Sequence, residues 1–177
     1  MKGLLKFLIP IIFIVTIIGC SNNEDKIELL FFSEIQATMQ EEIEDMISNA
    51  ISVEKDEFIV NIHPVTYERL IVEIASHNGD LLFLDEELMS AAYDPDGLYR
   101  LDEALDDAWF ALVPDKYKAI DSETGELHVY ALPLNNESPF LQTLGVELEA
   151  PLVAIIPVYS DNKAFSIKLL KYIIENN

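Results

Sequence analysis

Apolar residues along the chain are grouped in two ways, and each grouping predicts a different element. Short runs of consecutive apolar residues predict β-strands that are covered on both faces. Longer stretches with an apolar residue every three or four positions predict helices with one buried face. The predicted strands are residues 26–32, 58–62, 81–84, 127–132 and 153–158. The predicted helices are residues 35–51, 66–76, 86–92, 101–112, 115–120 and a last helix that begins after Ser160 or Asp161.

The order of these elements predicts an α/β fold with a mostly parallel sheet. The first three strands alternate with two helices, and this order favours right-handed crossovers between parallel strands. Ser33 and Gln36 match a capping box before the first helix, and Thr66 is placed to cap the second. Asn78 and Gly79 are typical of a helix end.

The first 20 residues have the pattern of a secretory signal, with a basic start, a short apolar run and a small residue before the break. The apolar run 7–20 has 14 residues, fewer than the ~20 that span a bilayer, and Pro10 disfavours a long helix there. A transmembrane helix and an ordinary signal peptide with a chance cysteine are the alternatives. The sequence Ile17-Ile18-Gly19-Cys20 resembles a bacterial lipobox.

This resemblance implies that residues 1–19 are a lipoprotein signal peptide. Acylated Cys20, carrying chains such as palmitate, would then anchor the protein to the lipid bilayer. Residues 20–26 become a short lipidated tether, and residues 27–177 a single domain at the outer face of the cell membrane. Because Cys20 is the only cysteine, the domain is expected to have no intramolecular disulfide and no thiol chemistry.

The strongly acidic composition limits the choice of partners. The net charge of the chain is −21, and loss of residues 1–19 would remove Lys2 and Lys6, which lowers it by two to −23. Nucleic acid is therefore not expected as a partner, since its binding rests on Lys and Arg against phosphate. The same charge argues against docking on anionic lipid headgroups. It favours solubility, or else a cationic ligand, a metal ion or a basic partner.

Four stretches resemble the first lobe of extracellular solute-binding proteins, which are the substrate receptors of ABC importers and have the type II periplasmic binding fold. They are residues 27–32 with the following helix, residues 79–102, residues 125–133, and residues 153–172. The resemblance implies a three-layer αβα architecture with a mostly parallel five-stranded sheet in the order 2-1-3-5-4. A full receptor inserts a second lobe between its hinge strand and its return strand. Here only residues 134–152 intervene, so the second lobe is missing.

Candidate ligand-binding residues follow from the expected sheet. In open α/β sheets, ligands bind beyond the carboxyl ends of the strands, and this places Ser33, Glu34, His63, Asp85 and Glu86 on the binding face. In the resembling family, loops after the first and third strands contact the solute. The alternatives are structural, because Ser33 fits a helix cap and the two acids after the third strand fit the first turn of the next helix.

Two aromatic residues are further candidates. Trp109 lies in a predicted helix beside apolar neighbours, where it either packs in the core or provides a flat surface for a sugar. Tyr130 precedes Pro133 in the predicted hinge strand and would line the binding face, although strand alternation explains it equally well.

No pattern for a metal or a cofactor is present, so neither is expected. His63, His77 and His128 are far apart in sequence and lack the paired spacing of a zinc site. The aspartates between residues 94 and 107 lack the spacing of a calcium-binding EF-hand. The sequence contains neither a glycine-rich phosphate loop nor a nucleophile elbow.

We therefore expect a binding module rather than an enzyme: a lipid-anchored relative of solute-binding proteins. Its partner would be a small polar solute, a membrane transporter or other envelope protein, or a second copy of itself. One alternative is a structural or assembly subunit, which an exposed apolar patch near residues 134–152 would favour. Another is an envelope hydrolase that uses Glu34 with Asp85 or Glu86 as a carboxylate pair.

Overall fold

The computed structural model describes residues 26–175. The predicted signal peptide, Cys20 and residues 21–25 of the tether lie outside these residues. The strands are β1 Ile27–Phe32, β2 Phe58–His63, β3 Leu81–Asp85, β4 Lys118–Ile120, β5 Leu127–Val129, β6 Leu132–Leu134 and β7 Leu152–Ile155. The α-helices are α1 Gln40–Ile51, α2 Tyr67–Ala75, α3 Met89–Ala92, α4 Asp107–Leu112, α5 Pro139–Leu144 and α6 Lys163–Glu175.

Five strands form one sheet in the order β2-β1-β3-β7-β6. Strand β1 pairs in parallel with both β2 and β3. Strand β7 is antiparallel to β3 and to β6, so four strands run in one direction and β7 runs against them. The protein therefore has a mixed α/β fold with a mostly parallel five-stranded sheet.

The centre of the sheet is covered on both faces. Successive side chains of a strand point to opposite faces, and every residue of β3 and of β7 is buried. On one face three aromatic rings lie nearly parallel. The ring of Phe31 stacks on that of Phe83 with centroids 4.4 Å apart, and Phe140 lies 5.8 Å from Phe83. The apolar runs that predicted strands are therefore the core of the domain.

The first helix begins later than its sequence pattern predicts. A 3-10 turn, Ala37–Met39, precedes α1, and the residue that caps α1 is Met39. Ser33 instead accepts a hydrogen bond from the backbone N–H of Ile35 at 3.3 Å, within its own turn. The predicted capping box of Ser33 and Gln36 is therefore wrong. The buried face of α1 still has the predicted spacing, with Ile43, Ile47 and Ile51 buried.

Three predictions between residues 101 and 132 differ from the structure. The predicted helix 101–112 is broken into a 3-10 turn, Asp102–Ala104, and α4. The predicted helix 115–120 is a 3-10 turn, Asp115–Tyr117, followed by strand β4. Strand β4 pairs with β5 in a separate two-stranded sheet. The predicted strand 127–132 is thereby divided, because β5 joins this small sheet and β6 joins the large one.

Residues 135–151 fold back onto the sheet. Pro139 stands in the first turn of α5, and Ser138 caps that helix by accepting from the backbone N–H of Leu141 at 3.4 Å. Phe140 stacks in the core, and the leucines of the segment are buried. An exposed apolar patch, which would favour a structural subunit, is therefore not found in this segment. In the part of the chain from 26 to 175, no helix is long and apolar enough to cross a bilayer.

Candidate ligand-binding cleft

A cleft of about 650 Å³ opens at the carboxyl edge of the sheet, and we call it the carboxyl-edge cleft. It lies where β3 and β6 end and where β7 begins. The backbone N–H of Glu86, just after β3, donates to the carbonyl of Pro151, just before β7, at 3.1 Å. The cleft is lined by Glu86, Trp109, Leu112, Val113, Pro114, Lys116, Tyr117, Leu132, Pro133, Asn135, Glu137 and Pro151.

A carboxylate held by two donors lies in the lining of the cleft. Lys116 makes an ion pair with Glu86, and the hydroxyl of Tyr117 donates to Oε1 of the same carboxylate at 2.6 Å. The hydrogen bond from Lys116 and then that from Tyr117 hold the pKa of Glu86 below its usual value. Burial, together with Glu86, raises the pKa of Tyr117. The carboxylate is therefore charged and the phenol neutral at physiological pH.

Trp109 is half-buried in the wall of the cleft. Asp106 caps α4 by accepting from the backbone N–H of Trp109 at 2.8 Å, which fixes the start of the helix. The ammonium of Lys118 lies 5.2 Å from the ring centroid of Phe110 and bonds Asp115, so α4 is held against β4. These contacts position the indole beside the charged groups.

The loop after β6 supplies the polar groups on another wall. The Asn135 side chain accepts from the backbone N–H of Glu137 at 3.0 Å. The side chain of Glu137 is exposed and, within the described range, has no hydrogen bond or ion pair. The cleft thus combines an apolar and aromatic wall with a lysine, two carboxylates and an amide. Such a surface suits a ligand with one apolar face and several polar groups.

Of the residues proposed from the sequence, Glu86 and Trp109 line this cleft. Tyr130 is buried, and its ring packs edge-on against His128 at 6.4 Å. It is therefore a core residue, and burial raises its pKa. Asp85 is also buried, and its carboxylate accepts from the backbone N–H of Glu87 at 3.0 Å. Asp85 therefore caps the turn that follows β3. This is the structural role that was the alternative to ligand binding.

The remaining candidates lie at the same edge of the sheet but outside the lining of the cleft. The backbone N–H of Ser33 donates to the carbonyl of His63 at 3.3 Å, so the ends of β1 and β2 are adjacent. Ser33 is buried and Glu34 is exposed. The His63 ring lies 4.9 Å from that of Phe32. Burial, and then Arg69, lower the pKa of His63.

Four lining residues, Lys116, Tyr117, Asn135 and Glu137, were missed by the sequence analysis. Lys116 and Tyr117 lie in a segment, residues 115–120, that was predicted to be helical. Their partner Glu86 is about 30 residues earlier in the chain, a separation that periodicity does not detect. The turn signal of Asn135 and Asn136 after the hinge strand could have indicated a loop at the carboxyl edge.

No group of three or more His, Cys, Asp and Glu side chains between residues 26 and 175 is arranged to hold a metal ion. No protein-family model matches the chain.

The chain is similar to one curated bacterial protein over nearly its whole length. That protein is the "Putative lipoprotein YteS" of Bacillus subtilis strain 168. The two are 27% identical over 168 residues, and the match covers 93% of this chain and 92% of the relative.

Proposed function

We propose that this protein is a lipid-anchored extracytoplasmic binding module and that the carboxyl-edge cleft is its ligand site. The convergence of Glu86, Lys116, Tyr117 and Trp109 carries the proposal. These residues come from separate segments, yet they meet at the edge where α/β sheets bind ligands. The ligand class that fits is a small polar solute with an apolar face.

Two observations support the anchor at Cys20. The sequence Ile17-Ile18-Gly19-Cys20 resembles a lipobox, and the similar Bacillus subtilis protein bears the name of a lipoprotein. In this proposal a signal peptide directs export, acylation of Cys20 attaches the mature chain to the membrane, and the domain lies at the outer face of the cell.

The strand order supports descent from one lobe of a solute-binding protein. In this proposal the connections from β1 to β2 and from β2 to β3 are right-handed. Because they run in opposite directions along the sheet, they would put α1 and α2 on opposite faces, in three layers. Strand β7 returns antiparallel between β3 and β6. In this interpretation residues 135–151 replace the second lobe, and α5 covers the core where that lobe was lost.

The state of the carboxylates favours binding over hydrolysis. A general acid needs a raised pKa so that it carries a proton near neutral pH. The pKa of Glu86 is instead lowered by Lys116 and Tyr117, and Asp85 is engaged with the backbone of Glu87. We therefore propose that the protein is not a carboxylate-dependent hydrolase.

A thermal-shift screen of the full chain in neutral detergent tests the ligand site. The probes are sugars, amino acids, short peptides and divalent metals. A solute at about 100 times its dissociation constant adds ~2.7 kcal/mol, which raises Tm by about 5–11 °C for a domain of this size. We expect Lys116→Met to abolish the shift and Lys55→Met, on another surface, to keep it. A flat screen, or a shift unchanged by Lys116→Met, would reject the ligand site.

A second candidate role, docking of an envelope protein, is favoured by exposed apolar residues in the cleft and on the small β4–β5 sheet. Leu112 is 72% exposed and Ile120 is 69% exposed, and Ile120 pairs directly with the exposed Leu127. Such residues are typical of a contact surface. The second wall of the binding site would then come from a transporter subunit, another envelope protein or a second copy of this chain. Crosslinking on intact membranes should capture a partner that Leu112→Asp no longer captures.

A further inference from the structure

A second cleft, of about 480 Å³, lies along helix α6 and differs in charge from the rest of the molecule. We call it the lysine cleft. It shares no lining residue with the carboxyl-edge cleft, so binding in it does not depend on the function proposed above. It is lined by Tyr99, Glu103, Lys163, Ala164, Ile167, Lys168 and Lys171.

The concentration of cations in this cleft is unusual for so acidic a chain. The sequence has 11 lysines and arginines and 32 acids. Lys2 and Lys6, and the acids Glu24 and Asp25, precede the described residues, which leaves nine cations and 30 acids. Three of the nine cations line this one cleft.

None of these three lysines is neutralised by an acid in the described part of the chain. Of the four other described lysines, Lys55, Lys116 and Lys118 each make an ion pair there, and Lys26 does not. Lys163 and Lys168 bond only backbone carbonyls, and Lys171 makes neither a hydrogen bond nor an ion pair. Unneutralised charges in a concave surface attract counter-ions locally, even where the whole molecule has the opposite sign.

The hydrogen bonds of Lys163 and Lys168 fix the positions of the two ammonium groups. They leave other N–H donors of each group available. Lys168 donates at 2.6 Å to the carbonyl of Ile51, the last residue of α1. Lys163 donates to the carbonyl of Ser160 and lies 5.7 Å from the ring centroid of Tyr99. An ammonium has three donors, so each retains donors for a ligand.

We propose that the lysine cleft is a binding site for a phosphate group. Lysine binds phosphate as a point charge, and the several oxygens of a phosphate can be shared among three separate ammonium groups. Glu103 is the one acid in the lining, and it accepts from the Tyr99 hydroxyl at 3.4 Å. The lining therefore carries a net charge of +2 at neutral pH.

The position of the cleft allows two sources of phosphate. Lys163 bonds Ser160, whose hydroxyl donates to Asp80 at 2.7 Å, and Asp80 accepts from the backbone N–H of Glu28 at 2.9 Å. One end of the cleft therefore lies near the start of β1, where the N-terminal segment enters the domain. A phosphate group of a membrane lipid and a free phosphate ion share the chemistry that the cleft recognises.

Inorganic phosphate is the first probe, added to the full chain in neutral detergent at constant ionic strength. Binding is followed by phosphorus NMR line broadening. We expect Lys171→Ala to weaken binding about fivefold or more, as loss of one nearby charge implies. Glu103→Gln should tighten it by a similar factor, which a purely structural change would not do. Lys55→Ala is the control and should leave binding unchanged.

The second arm distinguishes the sources. The full chain is placed in vesicles of phosphatidylglycerol or of phosphatidylcholine, and modification of Lys171 by an amine-reactive reagent is measured by mass spectrometry. Protection by phosphatidylglycerol alone identifies the lipid phosphate as a source. Equal modification in both vesicles, with binding of inorganic phosphate, identifies the free ion. Absence of phosphate binding and of protection would overturn the proposal.

Discussion

Glu86 is the residue on which the chemistry of the carboxyl-edge cleft depends. Its neighbour Asp85 is turned to the backbone, whereas Glu86 faces Lys116 and Tyr117. Adjacent acids at the end of one strand thus have different roles, one in capping and one in the cleft. An ionised carboxylate held by two donors offers its remaining lone pairs to a ligand in a fixed direction.

The stabilisation by Glu86 should depend on pH. Its folded-state pKa is lowered, so its contribution is present above the ordinary value of 4.5 and is lost as the pH falls through the folded-state pKa. We expect Glu86→Gln to lower the free energy of unfolding by about 1 kcal/mol at pH 7, since the pair is partly exposed, and by much less in acid. Urea denaturation at both pH values measures this. Glu87→Gln is the matched control, and an equal loss at both pH values would contradict the assignment.

Gly79 should tolerate no side chain. Its φ is +86°, and a Cβ there would lie 2.7 Å from a Leu30 methyl carbon and 2.9 Å from one of Leu82. We expect Gly79→Ala to destabilise the domain by about 1–3 kcal/mol through crowding, besides the backbone cost. Gly125 has a φ of +73° with nothing near its Cβ position, so Gly125→Ala should show only the backbone cost. Equal losses in thermal unfolding would reject the packing explanation.

The sequence predicted which residues follow the strands but not which ones meet. Ser33, His63 and Asp85 lie at the carboxyl edge because each ends a strand, and apolar runs identify strand ends. The contacts of Glu86 with Lys116 and Tyr117 join distant segments, and one sequence holds no local signal for such a pairing. The burial of Tyr130 likewise depends on tertiary packing, which the alternation of side chains along a strand does not determine.

At the scale of elements, length decides which ones the sequence predicts correctly. Strands β1, β2 and β3 have five or six residues and mostly apolar or alternating patterns. Strands β4, β5 and β6 have three residues each, too few to show a period of two rather than 3.6. Pairing with a neighbouring strand determines whether such short segments form strands. The sequence alone does not show this pairing, and residues 115–120 were therefore predicted to be helical.

Helix α5 should be essential for the stability of the sheet. Phe140 anchors it on Phe83 and Phe31. We expect Phe140→Ala to lower the free energy of unfolding by about 3–5 kcal/mol and Phe140→Leu by much less, in urea denaturation. A loss below about 1 kcal/mol in Phe140→Ala would mean that residues 135–151 are only loosely attached and do not replace a missing lobe.

At the scale of the whole molecule, the proposed anchor at Cys20 would hold a domain with two separate clefts at the membrane. Cys20→Ser should release the protein from the membrane fraction, because the acyl chains on Cys20 are the proposed anchor. Cell fractionation followed by immunoblotting measures the distribution. Ser21→Ala, beside the acylation site, is the control. Retention of Cys20→Ser in the membrane fraction would contradict the lipobox assignment.

The central claim is that a solute occupies the carboxyl-edge cleft, and the fluorescence of Trp109 tests it most directly. Trp109 is the only tryptophan in the chain and lines this cleft, so its emission reports occupancy without a label. With the sugars, amino acids and peptides of the screen, we expect at least one class to shift the emission saturably. The shift should be lost in Lys116→Met and kept in His63→Ala. A solute that raises Tm without changing Trp109 emission, or an emission that no solute changes, would contradict the claim.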